Sequence, residues 1–293
     1  MSAAKNILEA KDLVKKYKEF TLDHVSLNIP KGYIIGLIGP NGAGKSTTIK
    51  ILMNIVKPNS GDVKIFGLDY KKHEKEIKNR IGYVGEVQYF YENKSVAWTG
   101  KFVSQYYIKW DENQFGKLLN DFQISRTKKV KELSKGMRVK LALAIALSHD
   151  AELIILDEPT SGLDPVVRRE VLDILMNVTS DENKSVIISS HITEDITRIA
   201  DYITFMINGR IHLTIEKDDL LSNWKKIHFK KDSLDQDIVR TFSNVNEGMF
   251  GSSGITNNYL QIKEKLSAAI EKEDIKIENV GLDDILISFV KGE

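Results

Sequence analysis

The sequence contains no cysteine and only 5 prolines in 293 residues. The absence of cysteine excludes disulfides, thiolate-bound zinc, iron–sulfur clusters and a cysteine nucleophile. The scarcity of proline leaves no obvious proline-rich linker between domains. There is also no excess of charge of one sign, because the chain has 42 lysines and arginines and 41 aspartates and glutamates. This balance provides no global field to attract nucleic acid, so we predict no nucleic-acid partner.

Long hydrophobic runs are missing as well. The longest apolar stretches, at 33–38, 141–147 and 153–156, are far shorter than the roughly 20 residues that cross a bilayer. The first residues carry charges every few positions and lack the apolar core of a secretory signal. We therefore expect a folded, cytoplasmic chain, and a membrane role would need a separate membrane-spanning partner.

Three continuous apolar runs, at 33–38, 153–156 and 185–190, predict buried strands. Helical spacing at 46–56 follows the first run, and helical spacing at 166–178 separates the other two. This alternation predicts an α/β fold with a parallel sheet, whose ligands bind at the carboxyl ends of the strands. Further along the chain, alternating segments at 259–263 and 275–280 flank a predicted helix at 264–272. We expect a small C-terminal α+β domain over residues 219–293, with an accessory, dimerisation or regulatory role.

A glycine-rich stretch, GPNGAGKS, joins the first strand to the first helix. In a phosphate-binding loop, glycines let backbone N–H groups converge on phosphates, a lysine neutralises the β and γ charges, and a hydroxyl serves Mg²⁺. The stretch predicts an ATP site with Mg²⁺ as its metal. Its nucleotide-binding residues are predicted to be Gly39, Asn41, Gly42, Ala43, Gly44, Lys45, Ser46 and Thr47.

Two adjacent carboxylates, Asp157 and Glu158, close the second strand. Because two adjacent carboxylates repel each other, the pair indicates that a cation binds here or that a proton is transferred here. The alternative is a solvated strand end. Asp157 and Ser46 are the predicted metal ligands. Because consecutive strand residues face opposite ways, Glu158 is predicted to polarise the attacking water as general base. Lys45, which neutralises the β and γ charges, is also predicted to be catalytic.

The sequence resembles the ATP-binding subunits of ABC transporters over residues 5 to 215. The resemblance rests on the phosphate loop, LSKGM from Leu133, LIILDEP from Leu153, SGLD from Ser161, and His191. It implies a P-loop ATPase domain over 1–218, with a RecA-like core, an antiparallel β region and a helical subdomain at 87–140. It also implies that two such subunits, identical or different, enclose two ATP molecules. A separate transmembrane permease would hold them at the inner face of the membrane.

The resemblance assigns roles to further residues. Ser134, Lys135 and Gly136 would contact the γ-phosphate of the ATP bound to the opposite subunit, and Asp164 would lie at the subunit junction. His191 would contact the γ-phosphate and help to hold the attacking water. Tyr17 would stack under the adenine, although Phe20 is close enough in sequence to take its place.

Two residues depart from the family pattern. Glu86 stands where the family has a glutamine that contacts Mg²⁺ and the attacking water, so we predict catalytic and metal-binding roles for it. The alternatives are a role mainly in coupling and an exposed loop acid without a role. Lys135 replaces a glycine of the signature and either adds positive charge at the γ-phosphate or is simply solvated. The LSKGM signature resembles that of export-type subunits. The alternative is a regulatory or non-transport nucleotide-binding protein with little turnover.

Aromatic residues are concentrated in the predicted helical subdomain. Burial in its core accounts for about half of them at ordinary rates. The resemblance implies that the others form a groove for a helix of the permease, because aromatics are enriched at protein interfaces. The ten residues are Tyr89, Phe90, Tyr91, Trp98, Phe102, Tyr106, Tyr107, Trp110, Phe115 and Phe122.

Overall fold

The structure is a computed structural model that describes residues 6–230, 233–248 and 251–291. Residues 1–5 of the predicted first domain therefore lie outside the described residues. Contacts within the chain divide it into two compact units, and the division falls between Leu213 and Thr214, inside the strand Arg210–Glu216, which is described with the first unit. The predicted boundary at residue 218 lies in the helix that follows.

The first unit alternates strands and helices along most of its length. Its elements are β1 Asn6–Lys16, β2 Thr21–Pro30, β3 Ile34–Ile38, α1 Lys45–Leu52, β4 Ser60–Ile65, β5 Leu68–Asp69, α2 Tyr70–Asn79, β6 Ile81–Val84, α3 Val96–Ser104, α4 Glu112–Asp121, α5 Lys135–Leu147, β7 Leu153–Asp157, α6 Pro165–Val178, β8 Ser185–Ser190, α7 Thr193–Ile199, β9 Tyr202–Ile207 and β10 Arg210–Glu216.

A six-stranded sheet in the order β10-β9-β3-β8-β7-β6 forms the centre of this unit. The pairs β9–β3, β3–β8, β8–β7 and β7–β6 are parallel. Strands β3, β7 and β8 are buried along their whole length, which explains their continuous apolar sequences. The predicted α/β class is confirmed, and the carboxyl ends of β3, β8 and β7 lie side by side.

A second sheet, in the order β2-β1-β4-β5, is antiparallel. Its inward residues, such as Leu8 and Leu22, share one hydrophobic core with Leu37 of β3 and Ile49 of α1. Because α1 packs into this core, the loop that precedes it is held at the carboxyl end of β3.

The segment between β6 and β7 is helical and contains α3, α4 and α5. Phe115 and Phe122 are buried in it, whereas Tyr89, Tyr91 and Tyr106 are exposed. Only two of the ten aromatic residues are fully buried, five are partly buried and three are exposed, so the core takes fewer of them than the half expected from ordinary burial rates. Among the described residues, no helix combines the length and apolar character needed to cross a bilayer.

His149 lies fully buried shortly after α5. Its ring stacks on Tyr107 with 3.8 Å between the ring centroids. Its nitrogens Nδ1 and Nε2 lie 3.1 and 3.0 Å from the carbonyl oxygens of Ile145 and Ile81. Burial lowers the pKa of His149 below its ordinary value, although the two carbonyl contacts oppose the shift. The neutral ring is therefore the form that the fold favours.

We expect this histidine to make unfolding easier in mild acid. A depressed pKa in the folded state stabilises the protein above the unfolded value of about 6.5, and this contribution is lost as pH falls through the folded pKa, by up to about 1.4 kcal/mol per pH unit. Urea unfolding at about pH 7.5 and pH 5.5 measures the effect. His149→Gln should weaken the pH dependence, and His73→Gln, at an exposed position, should retain it. Equal pH dependence in His149→Gln and the wild type contradicts the prediction.

The second unit contains α8 Lys217–Asn223, β11 Lys225–Phe229, α9 Gln236–Val239, β12 Ser243–Gly248, β13 Gly251–Thr256, α10 Tyr259–Glu271, β14 Ile275–Asn279 and α11 Leu282–Lys291. Its four strands form a sheet in the order β12-β13-β11-β14, and each neighbouring pair is antiparallel. From β11 to β14 the order of elements is βαββαβ, which with this strand order is ferredoxin-like topology.

One predicted element of this unit is wrong. Residues 259–263 were expected to form a strand, but they form the beginning of helix α10. The buried residues Ile262, Leu266 and Ala269 recur at helical spacing and face the core of this unit. A window of five residues is too short to distinguish the two-residue period of a strand from the 3.6-residue period of a helix. The helical spacing becomes visible only when the residues up to Ala269 are included.

Candidate functional site

The loop between β3 and α1 requires glycine at several positions. Gly42 and Gly44 have φ angles of +81° and +106°, which other residues rarely adopt. A Cβ atom at Gly39 would lie 2.0 Å from the carbonyl oxygen of Met206. Helix α1 begins immediately after the loop, and the first N–H groups of a helix have no partner within it. The loop and the helix together form a site for an anion.

Lys45 is the most buried cation of this site, with 5% of its side chain exposed. Its Nζ donates hydrogen bonds to the carbonyl oxygens of Gly39 at 2.7 Å and Pro40 at 3.2 Å. It also lies 3.3 Å from Oε1 of Glu158. The lysine is therefore held at the phosphate loop before any ligand arrives, with a carboxylate as its counter-charge.

Asp157 ends β7 opposite the start of α1. Its Oδ1 accepts hydrogen bonds from the hydroxyl groups of Ser46 at 3.0 Å and Ser189 at 2.7 Å. Burial, followed by the negative charge of Asp157, raises the pKa of the nearby Tyr83. A carboxylate oxygen and a hydroxyl oxygen thus converge, and hard oxygen ligands of this kind suit Mg²⁺.

Glu158 is 9% exposed and is held on two sides. Its Oε2 lies 2.7 Å from Nδ1 of His191 and accepts a hydrogen bond from the His191 backbone N–H at 3.3 Å. Its own N–H donates to Ser189 Oγ at 3.0 Å. Its φ angle of +50° lies in the left-handed region, and such strain persists where surrounding contacts determine the conformation.

Lys45, Glu158 and His191 line a cavity of about 700 Å³. The predicted site residues Gly39 and Asp157 are not part of its lining. Most of the predicted nucleotide and catalytic residues line it together. The lining residues are Glu19, Phe20, Asn41, Gly42, Ala43, Gly44, Lys45, Ser46, Thr47, Glu86, Glu158, Ser161 and His191. Glu86 is an exposed side chain two residues after β6. A cavity with backbone donors, a lysine and three glutamate carboxylates is suited to binding and hydrolysing a triphosphate.

Four residues assigned by resemblance, Ser134, Lys135, Gly136 and Asp164, do not line this cavity. Ser134 caps α5, and its Oγ accepts a hydrogen bond from Met137 N–H at 3.3 Å. A Cβ atom at Gly136 would lie 2.6 Å from Val167 of α6. The Asp164 carboxylate caps α6 by accepting from two backbone N–H groups at 3.1 Å. The signature and the start of α6 therefore form one packed surface.

The two aromatic candidates for the adenine lie next to each other. Tyr17 is 46% exposed and does not line the cavity, whereas Phe20 does. Their ring centroids are 6.5 Å apart with 29° between the ring planes. The geometry places Phe20 nearer to the phosphate loop, with Tyr17 beside it.

The sequence assigns no role to Ser189, Glu19 or Ser161, although Ser161 begins the SGLD motif. Ser189 lies directly opposite Asp157 in the register of β7 and β8. The sequence could have indicated that Ser189 lies near the site, because 185–190 was a predicted strand and the carboxyl ends of neighbouring parallel strands lie at one edge of the sheet. Ser161 and Glu19 lie in loops, and nothing in their spacing indicates that they reach the cavity.

A lysine held at a glycine loop, beside a helix N-terminus at the end of a central parallel strand, defines a P-loop nucleotide triphosphatase. Comparison with known proteins narrows this class. A family model described as "ABC transporter" matches residues 22–161. The chain belongs to the ABC transporter family, as an ATP-binding subunit, and it is an ATPase.

Two curated relatives and one solved structure support this assignment. The bacitracin transport ATP-binding protein BcrA of Bacillus licheniformis is 35% identical over 80% of this chain and 78% of its own length. The ABC transporter ATP-binding protein YtrB of Bacillus subtilis is 31% identical over 93% and 94%. A solved ATP-binding subunit of an ABC transporter has a TM-score of 0.67 and 28% identity, and the match covers 74% of this chain and 92% of that chain.

Proposed function

We propose that this subunit hydrolyses Mg²⁺–ATP within a dimer and thereby drives export through a separate membrane-spanning permease. The observation that carries the proposal is the position of Glu158, whose two carboxylate oxygens contact Lys45 and His191 at the mouth of the phosphate loop. This arrangement places a base next to the charge that binds the triphosphate.

In the binding step, ATP phosphates contact the backbone N–H groups of the loop and the start of α1. Lys45 leaves Glu158 and neutralises the β- and γ-phosphates, because two phosphate groups offer more negative charge than one carboxylate. Phe20, with Tyr17 beside it, stacks against the adenine. Ser46 and Asp157 would hold Mg²⁺, which supplies charge neutralisation at the phosphates when bound.

In the hydrolytic step, the oxygen of a water molecule attacks the γ-phosphorus, and Glu158 accepts a proton from this water. The bond from this phosphorus to the β–γ bridging oxygen breaks, and the products are ADP and inorganic phosphate. His191 fixes the Glu158 carboxylate through the 2.7 Å contact and contacts the γ-phosphate. Glu86, at the cavity wall, would help to hold Mg²⁺ or the attacking water.

The residues that lie away from the cavity support the proposed dimer. Ser134, Lys135 and Gly136 are at the N-terminus of α5, which can donate backbone N–H groups to an anion. Because they do not line the cavity of their own chain, they are available to the γ-phosphate bound by a second ATPase subunit. That subunit is either an identical chain or a related one, and Asp164 lies at the junction.

The permease is proposed to dock on an aromatic surface cluster, which consists of Tyr91, Trp98, Phe102 and Tyr106. Trp98 and Phe102 stack with 5.1 Å between centroids, and Tyr91 contacts both rings edge-on. Aromatic residues supply much of the binding energy of protein interfaces. The names of the relatives concern transport, and bacitracin transport in particular supports export. The subunit would then work at the inner face of the membrane.

Tyr91→Ala or Trp98→Ala should release the subunit from its permease while ATP binding is unchanged. Loss of one central aromatic contact lowers interface affinity by about 2 kcal/mol, or about 30-fold. The measurement is affinity purification from detergent-solubilised membranes, followed by identification of stoichiometric multi-span partners. Tyr33→Ala, at another exposed tyrosine, is the control and should retain the partner. Full retention by both cluster variants, or the lack of any membrane partner with the wild type, contradicts the proposal.

A further inference from the structure

Asp195 is a buried carboxylate that the proposed mechanism does not use. It lies in the first turn of α7 and is only 1% exposed. Its Oδ2 accepts a hydrogen bond from Thr160 Oγ1 at 2.6 Å, and its Oδ1 accepts from Arg168 Nε at 2.5 Å. A buried carboxylate requires such partners. Removing one of them lowers the stability of the folded protein, because the carboxylate is then left with an unsatisfied charge.

The partners of Asp195 belong to the loop and helix that follow Glu158. Thr160 is 1% exposed, and its carbonyl oxygen accepts a hydrogen bond from Leu163 N–H at 3.2 Å. The Glu158 carbonyl oxygen accepts from Ser161 N–H at 3.2 Å. Arg168 lies in the first turns of α6, which begins where this loop ends. Asp195 therefore fixes both the loop 158–164 and the start of α6.

Helix α7 is itself fixed to the central sheet. Ile196 of α7 packs directly on Gly36 of β3. Only glycine leaves room for this contact, because a Cβ atom at Gly36 would lie 2.2 Å from Ile196 Cγ2. His191, which contacts Glu158 directly, lies just before α7. The first connection between this part of the chain and the Glu158 loop is the contact of His191 with Glu158. The contacts of Asp195 provide a second connection, and they come from a helix that is packed on the sheet.

We infer that Asp195 is a positioning residue for ATP hydrolysis, which holds the Glu158 carboxylate in place through Thr160. This inference rests on the proposed role of Glu158 as general base. A displacement of about 1 Å in a reacting group costs on the order of 10²-fold in rate. The effect of Asp195 should therefore appear in kcat, because neither Asp195 nor Thr160 lines the nucleotide cavity.

Two substitutions of similar shape test the inference. Asp195→Asn removes the charge, and Thr160→Val removes the hydroxyl group while Arg168 keeps its carboxylate partner. Each should lower kcat by roughly 10- to 100-fold at a temperature well below its melting temperature, with the ATP dissociation constant close to that of the wild type. The melting temperature should fall, because each variant leaves a buried partner without its hydrogen bond or counter-charge. Thr160→Ser should restore the rate, because it returns the hydroxyl. The control is Glu194→Gln, at the neighbouring 85% exposed acid, which should change kcat by less than about twofold.

A double-mutant cycle shows whether the effect passes through Glu158. When Glu158→Gln has removed the positioned base, Thr160→Val should cause no further loss in the residual rate. An equal loss in both backgrounds overturns the inference, as does a fall in kcat that is matched by weaker ATP binding. If Glu158→Gln is slow but Asp195→Asn and Thr160→Val have wild-type rates, only this inference fails. If Glu158→Gln itself has the wild-type rate, the proposed base is wrong.

Discussion

Lys45→Ala should abolish detectable ATP binding, and with it ATP hydrolysis. The Lys45 ammonium is already buried at the loop, held by the carbonyl oxygens of Gly39 and Pro40. Hydrogen bonds to charged groups contribute about 1.5–3 kcal/mol each. Loss of the contacts to two phosphates should therefore raise the ATP dissociation constant by roughly 10²- to 10⁴-fold. Titration with a fluorescent ATP analogue measures this change.

The substitution also changes the protein without nucleotide. Glu158 loses the ammonium group 3.3 Å from its Oε1, so the free energy of unfolding should fall, because a buried charge is left without this partner. Thermal unfolding with and without ATP separates the two effects. The wild type should gain about 2.7 kcal/mol at 100 times its dissociation constant, and Lys45→Ala should show no ATP-dependent shift. Lys50→Ala, at an exposed lysine of the same helix, should behave as the wild type. Wild-type affinity in Lys45→Ala excludes this loop as the triphosphate site.

The sequence predicted the frame of this site because its elements carry strong local patterns. Buried central strands give continuous apolar runs, and the predicted 185–190 strand coincides with β8. The positions of Gly39, Gly42 and Gly44 follow from backbone geometry that only glycine satisfies. These constraints act over a few residues, so they are visible in the sequence without knowledge of the tertiary structure.

Contacts between distant segments could not be predicted in the same way. The ion pair of Lys45 with Glu158 and the bonds of Asp195 with Thr160 and Arg168 join residues from different elements. Their geometry depends on the order of the strands and on the packing of α7, which no local pattern specifies. Phe20 shows the same limit, because the resemblance assigned Tyr17 to the adenine with Phe20 as the alternative, whereas the fold places Phe20 at the cavity.

Glu158→Gln should bind ATP but hydrolyse it about 10²- to 10⁴-fold more slowly, because removal of a general base has an effect of this size. The amide has nearly the shape of the carboxylate and can still contact His191, but it does not accept the proton of the attacking water. Lys45, released from its 3.3 Å contact with Glu158, remains available to the phosphates. Phosphate release under saturating ATP and Mg²⁺ measures the rate.

The same variant tests the proposed dimer, because a subunit that binds ATP without hydrolysing it should remain in the ATP-enclosing state. Size-exclusion chromatography with ATP and Mg²⁺ should show a stable dimer for Glu158→Gln and a transient one for the wild type. If the second subunit is a different chain, the stable dimer appears only when that chain is present. Glu182→Gln, at an exposed acid away from the cavity, should hydrolyse ATP at the wild-type rate. Wild-type turnover in Glu158→Gln would mean that another group accepts the proton, and Glu86 is then the carboxylate at the cavity to test.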